Sequence, residues 1–572
     1  MKPAVAPRLP LRYLLLGGFF LLLGLPARPV LAQFPTLASQ TQYLCNAPGG
    51  QFGVQAFADG AGGAYSVWID KRGGNQSGPG TALYAQHLSA AGVPLLPANG
   101  LRLFQTQGRE IWGMRAISWQ TGILVAWVQG AFGIGGDTVR CQYYSAAGVA
   151  QWAQPTLVAV RVLPTIIYQS EQGLNIIPTS TGATITHALA LNGGSNRFTY
   201  NQISLAGVRS FPMSDRQVLV LPVGVFASDY YYTVGDGSNG FYLVASASGF
   251  TSPIYAQRFD PAGGAAWANY TIVSAGGPSG RGSEWQPLTD PAGNLYVAWT
   301  SDSDDPLVSK VLPSGALGWA APGYVNLCTN PSHQTGTDAL WHNNALWMVW
   351  NDDRPSAFGT TQYMQKIDAA GTLAWSAAGV LVNSLPGVTN PKLVPSDNGA
   401  VMAFYTTSNS QGFRAQKIRP DASLAFPVNG VVLHNVVNDR PDGADFALVA
   451  QPNGSVQAYW ASVGGAPTGR DICAGRMQSS GTLLGAASST AVALGFAAYP
   501  NPAVGELRLR YPPTGSAPAG LRLYDMRGRL MRAFAAPGPD GVLSLRGLAA
   551  GVYVLRAELG GQPVSTRVAV AE

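Results

Sequence analysis

A chain of 572 residues is too long for one ordinary domain. With 47% hydrophobic and only 11% charged residues it excludes wholesale disorder, and its 70 Gly and 41 Pro fit many short strands joined by tight turns. The formal charge of +6 sits at the two ends: Lys2, Arg8, Arg12 and Arg28 precede Gln33, and nine Arg stand against five acids from Gly495 onward, which leaves the body between them at about −2 and gives no support to nucleic-acid binding.

The chain opens with a basic leader (Lys2, Arg8, Arg12), an apolar run over residues 14–25 and the small-residue site Val30-Leu31-Ala32 ahead of Gln33. That order predicts a secretory signal peptide over residues 1–32. The apolar run is well short of the roughly 20 residues that span a bilayer and is broken by Gly17 and Gly18. No later segment is long and apolar enough for a transmembrane helix, so the exported chain is expected to be soluble.

Residues 33–490 repeat. The phrase running from Tyr84 through Gln86 to Gly92 recurs from Cys141 to Gly148, Tyr200 to Gly207, Tyr255 to Gly263, Lys310 to Gly315 and Met364 to Gly371. It recurs again from Ala415 to Ser423, with Ser423 where Gly would fall, and from Arg476 to Gly481. Within a unit, residues 391–395 read as a strand, Ser396-Asp397-Asn398-Gly399 as a hairpin turn, and residues 400–405, 413–419 and 428–433 as three further strands. Turns such as Asp59-Gly60, Asp290-Pro291-Ala292-Gly293 and Asn453-Gly454 suit this scheme because Asp, Asn and Gly tolerate positive φ. Four antiparallel strands repeated eight times predict an all-β, eight-bladed β-propeller, with seven blades the alternative because the third unit is eroded and the end strands could merge into one blade.

Trp68, Trp127, Trp299, Trp350 and Trp460 fall late in the second strand, and Trp267, Trp319 and Trp375 shortly after the recurring Gly. They are expected to fill the space between blades. Cys45, Cys141, Cys328 and Cys473 are too far apart for a zinc knuckle or a redox pair, although a bridge from Cys45 to Cys473 would lock the first unit to the last. His87, His187, His333, His342 and His434 are scattered, and no Ser sits in a nucleophile elbow. Asp302, Asp304 and Asp305 fail the calcium-loop pattern, with Pro306 and Leu307 where a ligand and the turn should be. No catalytic residue, metal or cofactor is therefore assigned. One near-motif remains: Asp70 and Arg72 after Trp68, echoed by Asp352, Asp353 and Arg354 after Trp350. It reads as a salt bridge closing a loop, or as part of a pocket at the channel mouth suited to a sugar, where a propeller glycosidase would need paired carboxylates.

After a linker over residues 491–498, residues 499–572 carry Tyr499-Pro500-Asn501-Pro502, then Asp525-Met526-Arg527-Gly528, then Leu548-Ala549-Ala550-Gly551-Val552-Tyr553. In this order and spacing they resemble the type A C-terminal sorting domain of the bacterial type IX secretion system. The resemblance implies a small seven-stranded immunoglobulin-like sandwich, recognised by the outer-membrane translocon and removed by a sortase-like peptidase, with the product secreted or joined to an anionic surface polysaccharide. Family members often carry Lys in the last strand, where this chain has Arg567. The expected whole is a monomeric exported cargo whose propeller is a noncatalytic binding or adhesion module for an extracellular glycan or protein, or alternatively a polysaccharide-active hydrolase or lyase.

Overall fold

The structure is a computed structural model. It describes residues 34–571 apart from 36, 73–79, 107–108, 131–137, 161–173, 191–195, 213–215, 218–226, 248–252, 275–279, 302, 355–358, 408–411, 437–438, 465–468, 484–496, 500–502, 511–518, 526–528, 535–541 and 560–561. The chain divides into two compact units, Met1–Leu31 and Ala32–Glu572, and the predicted signal peptide lies outside the described residues.

The described residues are all-β apart from one short 3-10 turn at Asp397–Gly399. Between Gln42 and Met477 the strands form eight four-stranded antiparallel sheets. Each of seven sheets takes four consecutive strands, as in Val388–Pro395, Val401–Thr407, Phe413–Ile418 and Val431–His434. The eighth is made from both ends: Pro441–Ala450, Val456–Ser462 and Ile472–Met477 receive Gln42–Cys45 as their outer strand. The first strands of the sheets, Gln51–Ala58, Glu110–Trp119, Asn175–Thr179, Ala227–Gly235, Gly280–Thr289, Gln334–His342, Val388–Pro395 and Pro441–Ala450, touch in cyclic order, and the last touches the first. They are the inner wall of a closed ring. The eroded third unit still forms a four-stranded sheet, with a last strand of only two residues, Arg216–Gln217.

The recurring phrase has a mechanical origin. Its Gln lies on the third strand and staples the following loop: Gln416 donates from Nε2 to the Pro427 carbonyl (2.9 Å), while its Oε1 accepts from the N–H groups of Lys417 (2.9 Å) and Phe426 (3.2 Å). Gln86, Gln142, Gln257 and Gln365 hold their own loops in the same way. The next residue reaches the neighbouring sheet. Arg258, Lys310, Lys366, Lys417 and Arg476 donate to the carbonyls of Pro313, Ala369, Pro420, Ser479 and Ala90, and the last of these bonds closes the ring.

The recurring Gly takes positive φ and lies against a side chain of the preceding sheet. A Cβ on Gly207 would enter the ring of Trp152, on Gly315 that of Trp267, and on Gly92 that of Phe34, which precedes the strand lent to the eighth sheet. In the seventh unit this left-handed position is held by Ala422 (φ 74°), one residue before Ser423, so the repeat register there is corrected by one.

The second-strand tryptophans are buried between sheets, with Trp68, Trp127, Trp299 and Trp350 at 0% exposure and Trp460 at 1%. Trp267, Trp319 and Trp375 pack between sheets and donate from Nε1 to Pro313, Ala369 and Pro420. All four cysteines are free and buried. A Cys45–Cys473 bridge, one of the pairings the sequence leaves open, is absent because Cys45 pairs opposite Ile472, and the two thiols therefore enter different inter-sheet cores on opposite faces of the eighth sheet. Main-chain pairing, not a disulfide, joins the ends.

The described residues of 497–571 form seven strands in two sheets, one ordered Ala497–Tyr499, Glu506–Arg510, Val542–Ser544 and the other Leu530–Ala533, Ala519–Asp525, Gly551–Leu559, Gln562–Val570. Leu507, Leu521, Leu523, Leu543, Leu555 and Val568 share one core between them.

Candidate functional site

In seven of the eight sheets the pairing of the inner strand with its neighbour slips by a residue or more near the start of the strand. Each inner strand is also the edge of its sheet, so one row of its backbone groups has no ladder partner. Side chains from the preceding sheet supply them. Gln55 donates to the Met114 carbonyl and accepts from Ala116 N–H, both at 2.8 Å, and Gln286 accepts from Ala339 N–H at 2.9 Å. Asp338 accepts from Leu393 N–H at 2.6 Å, Lys392 donates to the carbonyls of Ala444 (2.8 Å) and Phe446 (2.5 Å), and Asp445 accepts from Gly53 (2.9 Å) and Val54 (3.0 Å). Asn175 reaches the Thr233 carbonyl at 2.8 Å. These six side chains form a belt around the inner wall.

The belt surrounds a cavity of about 960 Å³ lined from the first, second, fifth, sixth, seventh and eighth sheets. Its charged lining residues are Arg115, Asp338, Lys392, Asp445 and Arg470. Burial pushes the Asp338 carboxyl up to about 6, against the pull of Leu393 N–H and of Lys392. Burial also raises the Asp445 carboxyl and lowers the Lys392 ammonium. Arg470 pairs with Asp442. The apolar part of the wall includes Phe52, Phe57 and Phe446, and the Lys392 ammonium stands 4.2 Å from the centre of the Phe446 ring.

None of the residues singled out at the rim lines this cavity. Asp70 is fully buried and receives Trp68 Nε1 (3.0 Å), Arg72 N–H (2.9 Å), and Arg72 Nε (3.0 Å) and Nη2 (2.6 Å). Asp352, equally buried, receives Trp350 Nε1 (3.1 Å), Ser332 Oγ (2.9 Å), and Arg354 Nε (2.9 Å) and Nη2 (2.5 Å). In both copies Nη2 also lies 3.0 Å from a thiol of the preceding sheet's outer segment, Cys45 or Cys328, and the guanidinium covers Tyr84 or Tyr363 at 3.8 Å. Burial pushes the Cys45 thiol up to about 12, so it stays a thiol. Asp353 accepts the main-chain N–H of His333 at 3.0 Å. Asp304 pairs with His333 Nδ1 at 2.5 Å, Asp302 is outside the described residues, and no group of three or more metal-ligating side chains occurs among the described residues. His187 is buried with its pKa lowered to about 4 by that burial, and its Nε2 lies 2.6 Å from the Thr199 hydroxyl.

In the tail, Tyr553 is buried in the core and its hydroxyl returns 2.8 Å to the Ala549 carbonyl, while Leu548 packs against the same core and Gly551 begins the strand. Asp525 Oδ1 accepts Arg529 N–H at 2.9 Å, and Gly528, Pro500, Asn501 and Pro502 lie outside the described residues. Tyr499 is half exposed at the end of the entry strand. Residues 497–571 match the secretion system C-terminal sorting domain. The sorting domain is of the type IX kind, and it directs the protein across the outer membrane to the cell surface or the exterior, where it engages the secretion machinery on the way.

No curated protein matches the chain. Among solved structures, it resembles a puromycin hydrolase at 12% identity and TM-score 0.39, over 75% of this chain and 61% of that one. It also resembles the polysaccharide lyase Uly1 (10%, TM-score 0.41, 64% and 90%) and the BP39L lectin from Burkholderia pseudomallei (12%, TM-score 0.40, 66% and 99%). The chain thus spans less than two thirds of the hydrolase.

Proposed function

We propose that this protein is an exported cargo of the type IX system whose ring is an eight-bladed propeller acting as a noncatalytic binding or adhesion module, with an extracellular glycan as ligand in the axial cavity. The observation that carries this reading is the use made of the axial carboxylates. Both oxygens of Asp445 and one of Asp338 are committed to main-chain N–H groups of the next strand. A carboxylate spent on holding two strands together is poorly free to move a proton or attack a sugar. The tail fits an immunoglobulin-like sandwich, since seven strands in two sheets and a tyrosine hydroxyl tied to the backbone just upstream are features of such folds. Residues 1–32 act in this reading as the signal peptide, and a sortase-like peptidase removes the tail after passage.

A polysaccharide-active hydrolase or lyase is the second reading. It is favoured by Asp338, whose carboxyl at about 6 has the proton affinity of a general acid and lines the cavity. A glycan array probed with the exported protein, followed by product analysis on each ligand found, separates the two. Binding without cleavage supports the module, cleavage abolished by Asp338→Asn supports the enzyme, and no binding to any glycan sinks both.

A further inference from the structure

The larger sheet of the sorting domain shows water a face that is not the polar surface usual for such a sheet. Along its strands Ala519–Asp525 and Gly551–Leu559, the residues that alternate with the buried Leu521, Leu523, Tyr553, Leu555 and Ala557 include Arg522, Tyr524, Val552, Val554 and Arg556. Leu530, on the edge strand, pairs opposite Tyr524 and joins them. Leu530 is 50% exposed and Val552 47%. Arg522 and Arg556 are both exposed and are direct partners across the ladder, so like charges face each other. Among the described residues neither forms a salt bridge with a carboxylate: Asp525 is taken by Arg529, and Glu558, two residues beyond Arg556, pairs opposite Ala519. The Arg556 guanidinium stands 5.0 Å from the centre of the Tyr524 ring, so the cation rests on an aromatic plate.

We infer that this face is where the sorting domain docks on the secretion machinery, against a protein surface that carries carboxylates for Arg522 and Arg556 beside apolar side chains for Leu530 and Val552. The match to the sorting domain supplies the partner, and the charge of the face supplies its chemistry. Docking sets carboxylates against two opposed guanidiniums, each with paired N–H donors matched to an oxyanion, and takes Leu530 and Val552 out of water. Arg and Tyr are also the side chains that concentrate binding energy at protein interfaces.

The test is export of the full chain from a bacterium that has the type IX system, with thermal unfolding of each purified variant beside it. Arg522→Gln with Arg556→Gln should not lower the melting temperature, because opposed charges are removed, and should cut the exported fraction about fivefold or more while protein accumulates in the periplasm. Arg522→Lys with Arg556→Lys keeps both charges and should restore a large part of that export. Wild-type export by the Gln variant overturns the inference, and so does a Lys variant as defective as the Gln one. If the Gln variant is less stable than the wild type, binding decides. The wild-type chain should bind outer-membrane fragments of that bacterium more weakly as salt is raised, and should not bind them once their proteins are digested. Salt-insensitive binding, or equal binding to micelles of lipopolysaccharide alone, overturns the inference. A chain lacking residues 497–571 separates the docking face from the sorting assignment: its normal export would refute the assignment, whereas its retention beside normal export of the Gln variant refutes the docking face alone.

Discussion

At the scale of single residues, the Asp-Arg pairs after Trp68 and Trp350 are braces between sheets, and their removal has a definite sign. Arg354 covers a carboxylate with no solvent contact of its own. Replacing it by Met leaves the Asp352 charge buried, and about 3 kcal/mol of stability should be lost in denaturant unfolding. Burial opposes the Asp352 charge, but Arg354 and its other donors outweigh that and hold the carboxyl below its usual range. That contribution is complete above the unfolded carboxylate pKa of about 4 and disappears as pH falls through the lower folded value. Asp338 behaves in the opposite way. Its raised carboxyl favours the folded state below pH about 4, and this stabilisation is lost as pH rises through about 6. Asp338→Asn keeps an acceptor for Leu393 N–H, so the drop in melting temperature between those pH values should flatten in the variant. Ala422 is a β-carbon residue in a left-handed conformation that its counterparts fill with Gly, and Ala422→Gly should stabilise the chain by about 1 kcal/mol.

At the scale of the strand and loop, the repeat was legible because each phrase residue does the same work in each unit. Gln416 is fully buried and serves one carbonyl and two N–H groups, so Gln416→Ala should cost about 2 kcal/mol through the groups left without partners. A replacement such as Gly207→Ala combines a left-handed backbone with entry into the Trp152 ring and should lower the melting temperature more than Ala422→Gly raises it. The axial belt was not legible for the converse reason. Main-chain N–H and C=O groups accept any side chain of suitable polarity, so Gln55, Asn175, Gln286, Asp338, Lys392 and Asp445 share a task without sharing an identity. A motif search rewards identity, and the Trp-Asp-Arg echo drew notice while residues facing the axis did not. Which inner-strand groups face the belt depends on register, which a single sequence shows only weakly.

At the scale of the molecule, the ends of the chain divide the tasks of closure and delivery. Removing residues 34–45 takes away the outer strand of the eighth sheet and Phe34 beneath Gly92. The exposed edge of Ile472–Met477 should make the truncated protein aggregate and unfold over a broad range, as followed by light scattering and circular dichroism. Removing residues 497–571 should instead leave folding of the ring intact and trap the protein in the periplasm, measured by fractionation. The address was legible because its three short motifs fall in fixed order, whereas the ligand depends on which distant strands converge.

Among the described residues the ring and the sorting domain share no sheet, and this has a practical consequence. The last ring strand ends at Met477 and the first strand of the sorting domain begins at Ala497, with no ladder among the described strands joining the two sides. A cut between Leu483 and Ala497 would sever one covalent thread and leave every described strand with the neighbours it had before. The luggage and its label can part without either having to refold.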